Sequence, residues 1–94
     1  MELLSRTLKA IAHPVRLSII DMLEGGKSLT VTEIYSRLNE DQSAISHHLS
    51  IMRDKGVLVA ERKGKHIYYR LRNRAYLTLI DCLQEIEVPG PVLN

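Results

Sequence analysis

The stretch that decides the fold is "LTVTEIYSRLNEDQSAISHHLSIMRDKG", residues 29–56. Thr30 followed three residues later by Glu33 is the pattern of a capping box, in which each side chain satisfies a backbone N–H of the other's residue. Val31, Ile34, Tyr35 and Leu38 then recur at the spacing of one helical face. "NEDQ" is short and polar and reads as a turn. A second helix is predicted from about Gln42 to Lys55, with Asp41 or Asn39 as N-cap candidate and Gly56 in the usual position just past a helix end. Two helices across so short a connection predict a helix-turn-helix.

The second of these helices has two unlike faces. Ile45, Leu49 and Met52 fall together, with His48 at their edge; Ser43, His47, Ser50 and Asp54 lie opposite, flanked by Gln42, Ser46 and Arg53. Ser43 and His47 stand one turn apart, but a nucleophilic site also needs an orienting carboxylate and oxyanion donors, and no G-x-S-x-G elbow is present. His47 and His48 point about 100° apart on a helix and have no cysteine pair or H-x-x-x-H beside them, which disfavours a metal site. The expectation is that the chain is not an enzyme and carries no cofactor. Short donors and acceptors on an exposed helix are either a solvated face or a reading head. Such a helix spans roughly 18 Å, enough to lie in one B-DNA major groove, where Gln reads adenine edges and Ser reads either partner.

Working outward, Leu3, Leu4, Thr7, Leu8 and Ile11 predict a first helix over residues 3–12, ending before Pro14 because a residue preceding proline avoids the helical region. Pro14 opens a second, with Val15, Leu17, Ile19, Ile20 and Leu23 apolar until Gly25-Gly26 breaks it. After Gly56 the period becomes alternating. "VLVAER" and "HIYYRL" flank "KGK", which predicts a β-hairpin with glycine at its tip. Residues 73–87 return to helical spacing, and "VPGPVLN" is a broken tail. The fold class expected is mainly α with a β-hairpin wing, a winged helix-turn-helix in one domain over residues 1–94.

Charge is distributed unevenly. Residues 53–74 hold eight basic side chains against Asp54 and Glu61, a net of +6, while the rest of the chain carries −4. Such a concentration beside a reading helix suggests a polyanion partner. Arg62, Lys63, Lys65 and His66 gather near the hairpin turn, where they can reach phosphates or the adjacent minor groove. No apolar run approaches membrane-spanning length and the N-terminal stretch lacks the pattern of a signal peptide, so a cytoplasmic location and no membrane partner are expected. One cysteine, Cys82, allows neither an internal disulfide nor a multi-cysteine zinc site.

"LKAIAHPVRLSIIDML", the helix-turn-helix and the "RKGKHIYYRL" hairpin together resemble the ArsR/SmtB (arsenic-repressor) family of bacterial winged-helix transcription regulators, over nearly the whole chain. The combination of A-H-P-x-R, S-x-H-L and R-x-G-[KR]-x-x-Y-Y-x-L carries the resemblance. It implies a homodimer on a double-stranded DNA operator, released by an effector that is usually a metal or metalloid. By motif it places Gln42, Ser43, Ser46, His47 and Ser50 toward the groove and the hairpin residues in the wing; Arg53 joins them as the first long cation on the helix. The chain departs from the family at its metal sites. Thr30-Val31-Thr32 stands where one site has Cys-x-Cys, and Asn73 and Ala75 stand where another has the Asp and His of D-x-H, with no histidine after His66. Hydroxyls do not replace thiolates for soft metals. The effector is left unassigned.

The first and last helices carry more apolar surface than one core consumes, so a two-fold interface is expected from them, built on Leu4, Leu8, Ile11, Tyr76, Leu79, Ile80 and Leu83. Cys82 reads as a small buried hydrophobe, His13 as a cap or hinge residue, and Asp81 and Glu85 as solvated carboxylates. Of Tyr68 and Tyr69, one packs inward. The competing reading is a winged-helix module that docks a protein, but its reading helix would then need large apolar or aromatic anchors outside the core face.

Overall fold

A computed structural model describes residues 1–86 of the chain; the predicted broken tail lies outside them. In order, α1 (Glu2–Ile11), α2 (Pro14–Met22), a 3₁₀ turn (Glu24–Gly26), β1 (Leu29–Thr30), α3 (Val31–Leu38), α4 (Gln42–Asp54), β2 (Leu58–Lys63), β3 (His66–Leu71) and α5 (Ala75–Glu85) form a winged helix-turn-helix. The sheet is antiparallel in the order β1-β3-β2. Every predicted helix is present, and the hairpin falls where alternation placed it.

Local chemistry explains the boundaries. His13 is the N-cap of α2, its Nδ1 accepting from the Val15 N–H at 3.1 Å, with Pro14 in the first turn where no N–H is missed. The capping box at α3 is complete: Thr30 Oγ1 accepts from Glu33 N–H at 3.2 Å, and Glu33 Oε1 accepts from Thr30 N–H at 2.9 Å. Those hydrogen bonds hold the Glu33 carboxyl below its ordinary pKa, the backbone N–H of Thr30 being the largest cause. α4 ends in a Schellman motif, in which Val57 N–H reaches Met52 O at 2.8 Å and Gly56 N–H reaches Arg53 O at 3.0 Å. That closure requires a left-handed residue, and Gly56 supplies it at φ 80°.

The core is continuous from α1 to α5. Ile19, Ile20, Leu23, Ile34, Ile45, Leu49, Met52, Val57 and Leu58 are completely buried, with Ala10, Ile11, Leu29, Tyr69 and Ile80 beside them. Ile11 and Ile80, expected at an interface between chains, are thus consumed by the chain's own core. Cys82, expected inside, is exposed on α5: it lies two residues beyond Ile80 and faces away from α2. Tyr69 packs inward and Tyr68 is half-buried. The two-residue strand β1 was not anticipated; Leu29 and Thr30 pair with Tyr69 and Tyr68 and give the hairpin a third strand.

Candidate nucleic-acid interface

The helix-turn-helix is closed by Asn39, which ends α3 in the left-handed conformation at φ 54° and redirects the chain within Glu40 and Asp41 to start α4. Asn tolerates that conformation better than other side chains. Asp41 is the N-cap of α4 but makes no side-chain cap bond, so amides in the first turn of α4 lack that side-chain acceptor.

Ile45, Leu49 and Met52 hold α4 on the core at 0% exposure, which leaves its opposite side outside. Gln42, Ser43, His47 and Arg53 are exposed there, and Ser46 and Ser50 are half-buried at the margins. Arg53 pairs with its neighbour Asp54 at 3.2 Å, both side chains largely in solvent; a pair so exposed is weak and easily exchanged for a phosphate.

The wing turns through Gly64 at φ 65° between the paired residues Lys63 and His66, so the left-handed residue at the tip is the glycine that "KGK" supplied. Arg62, Lys63, Lys65 and His66 are all exposed. Lys63 Nζ lies 5.6 Å from the centre of the Tyr68 ring, within cation–π range, which steadies one cation at the tip. Arg70 is different: its Nε donates to Glu61 Oε1 at 3.0 Å, and this bond is the main reason the Glu61 carboxyl sits below its ordinary pKa. That pair is exposed as well, so Arg70 can exchange partners as Arg53 can, while Arg62, Lys63 and Lys65 at the tip have no ion pair among the described residues.

On α1, α5 and the residue after it, Leu4, Leu8 and Leu83 are exposed, as are Leu3 at 77% and Ile86 at 58%. Leu4, Tyr76 and Leu79 come together with Thr7 along one groove between α1 and α5. Sequence reasoning did not find the role of Arg16. Its Nε donates to His48 Nδ1 at 3.0 Å and its Nη1 to the carbonyl of Ala10 at 3.2 Å. The A-H-P-x-R and S-x-H-L motifs held the two ends of that contact, but nothing in the chain pattern joins them.

Two of the side chains at the family's metal positions have other partners. Thr30 Oγ1 is occupied by the capping box, and Asn73 Oδ1 accepts from Ala75 N–H at 2.9 Å at the start of α5. Among the described residues, His, Cys, Asp and Glu nowhere gather in a group of three able to hold a metal ion.

A helical core with an outward polar helix after a tight turn and a cationic β-wing defines a winged helix-turn-helix protein. A family model described as "Helix-turn-helix domain" matches residues 11–61. The chain is 42% identical over 80 residues to the transcriptional repressor PagR of Bacillus anthracis, covering 85% of this chain and 80% of PagR. It is 40% identical over 68 residues to the transcriptional repressor SdpR of Bacillus subtilis, covering 72% and 74%. The crystal structure of PagR superposes with a TM-score of 0.77 at 41% identity, over 87% of this chain and 93% of that one. The homodimeric winged helix-turn-helix DNA-binding domain Mb0332 of Mycobacterium bovis, described as a possible ArsR-family regulator, gives 0.77 at 28% identity over 88% and 76%. This chain belongs to the ArsR/SmtB-like family of helix-turn-helix transcription regulators, a family of DNA-binding proteins and not an enzyme class. Among the described residues no helix is long and apolar enough to cross a membrane.

Proposed function

We propose that this chain is a homodimeric transcription repressor that reads a double-stranded DNA operator with α4, grips its backbone with the wing, and lacks both usual metal-ligand sets of its family. The observation that carries the reading is the division of α4, whose inner row is wholly buried while its outer row, Gln42, Ser43, Ser46, His47 and Ser50, stays polar and accessible. Short hydroxyl and amide groups on a rigid helix pair with base edges at little entropic cost, whereas a protein-docking helix would show large anchors there. Arg53, Arg62, Lys63, Lys65 and His66 supply phosphate contacts on either side. Two copies joined through Leu4, Leu8, Tyr76, Leu79 and Leu83 would cover the exposed leucines and present two α4 helices to successive half-sites. The named repressors PagR and SdpR support the sign of regulation.

The test is selection of duplexes from a randomised pool by the full chain, followed by anisotropy titration of a recovered duplex and a scrambled one. The expected result is an inverted repeat bound by two chains, with affinity at least about a thousandfold above the scrambled duplex. Equal affinity for both duplexes would overturn the reading; absence of binding to either at low salt would favour the protein-docking module.

A further inference from the structure

Arg16 lies on α2, far in sequence from the reading helix, yet it joins three elements. Its Nη1 donates to Ala10 O near the end of α1, and its Nε donates to His48 Nδ1 on α4, 32 residues away. On the other side of His48 the ring of His13, in the α1–α2 connection, stands 4.5 Å off between centroids. His13 is itself fixed, because its Nδ1 accepts from Val15 N–H. His48 is thus half-buried between a guanidinium and a second imidazole, one position along the chain from His47 of the outer row and one turn before Met52 of the inner row. Moving His48 therefore rotates the whole reading face.

We infer that Arg16 is a positioning residue for DNA reading: through a neutral His48 that accepts its Nε–H, it fixes the rotation of α4 and ties it to α1, the helix whose apolar face is offered to a second chain. The inference rests on the DNA-reading function proposed above. An accepting Nδ1 requires the Nε2–H tautomer, and a protonated ring would turn an N–H against the guanidinium. The surroundings favour the neutral ring. Burial is the largest cause lowering the His48 pKa from its ordinary 6.5, followed by the charges of His13, Arg16 and His47, with only Glu40 opposing. Arg6 and Lys9 of α1 and Lys55 after α4 line the groove that also receives Arg16, and they add positive potential on the same side.

The sign follows from that depression. The unfolded chain takes up the His48 proton near pH 6.5 and the folded one only at lower pH. The contribution of His48 is therefore complete above the unfolded value and is lost as pH falls through the folded one. The ratio of affinities for the selected and scrambled duplexes, compared between wild type and a His48 variant that keeps every other titratable group, isolates the Arg16–His48 contribution.

The experiment uses the full chain as wild type, Arg16→Gln, Arg16→Lys and His48→Asn, the last keeping an acceptor near the Nδ1 position that cannot be protonated. Ring ¹⁵N spectra of the free protein should show an Nε2–H tautomer for His48 and its loss of a bonded Nδ1 in Arg16→Gln. As pH falls from 7.5 to well below 6.5 the wild-type affinity ratio should fall, by roughly tenfold once the ring is protonated, about the value of one hydrogen bond to a charged donor. His48→Asn should hold the ratio nearly constant across that range, and Arg16→Gln should start low and stay flat, with Arg16→Lys between. An Nδ1–H tautomer, or a ratio that falls with pH as steeply in His48→Asn as in wild type, overturns the inference. If the wild-type chain prefers no duplex, the reading function fails and the positioning role with it. The ring spectrum then still separates that outcome from an absent Arg16–His48 bond.

Discussion

α4 and α5 are helices of similar length with opposite habits. α4 puts three large apolar side chains at zero exposure and turns polar ones outward, whereas α5 buries only Ile80 and leaves Leu83 at 47% exposure. The first is finished as a packing element, and what remains on it is hydrogen-bonding chemistry. The second is unfinished: its unspent apolar surface would gain by covering, which the proposed second copy would supply. In the proposed reading one helix thus faces a polar, charged partner and the other a copy of itself.

The sharpest break in that comparison comes from the inner row. Leu49→Ala removes a side chain with no exposure and should cost about 2–5 kcal/mol in chemical denaturation, enough to leave a domain this small partly unfolded. A cost below about 1 kcal/mol would mean that α4 is not anchored as described. Leu83→Asp on α5 should leave the far-ultraviolet circular dichroism unchanged, because the side chain is exposed in the single chain. By sedimentation it should shift the protein from dimer to monomer and weaken binding to a two-half-site duplex about a hundredfold, through loss of linkage between sites. Should the variant sediment as wild type does, α5 does not form the interface.

On the outer row, Gln42→Ala or Ser46→Ala should cost about 1–3 kcal/mol on a selected duplex and little on a scrambled one, because base-edge contacts carry discrimination. Equal losses on the two would reduce these residues to backbone contacts. At the wing the effect is smaller at any one salt concentration: Lys63→Ala and Lys65→Ala should each flatten the slope of log affinity against log salt by about 0.9. An unchanged slope removes the wing from the contact. The smallest effect is expected from metals: micromolar zinc or arsenite should not release the duplex. Release that survives Cys82→Ser would expose a site missed among His13, His47, His48 and His66.

Much of this division was legible in the chain because it follows local rules. The Thr30–Glu33 pair, Pro14, Gly56 and the glycine of "KGK" each act within a few residues, and each sits where its local geometry demands it. The inner row of α4 was legible because only one face of a helix can meet a core. The α1–α5 face was partly misread for the same reason in reverse: apolar spacing marks residues that avoid water, but not which neighbour covers them. Ile11 and Ile80 are covered by their own chain while Leu4 and Leu83 are not, and Cys82 turned out on the exposed side.

The sequence by itself determined the element order, the caps, the row of side chains offered by α4 and the absence of thiolates at Thr30 and Thr32, since each depends on residue chemistry or short-range geometry. Only the tertiary structure decided that Leu29 and Thr30 extend the hairpin into a three-stranded sheet, that Arg70 pairs with Glu61 across the hairpin, and that Arg16 reaches His48. A two-residue strand exists only where a neighbour offers its edge, and a hydrogen bond across 32 residues forms only after packing has brought α2 against α4. Contacts of that kind have no period or spacing along the chain, because the distance they depend on is set by the core and not by the backbone between them.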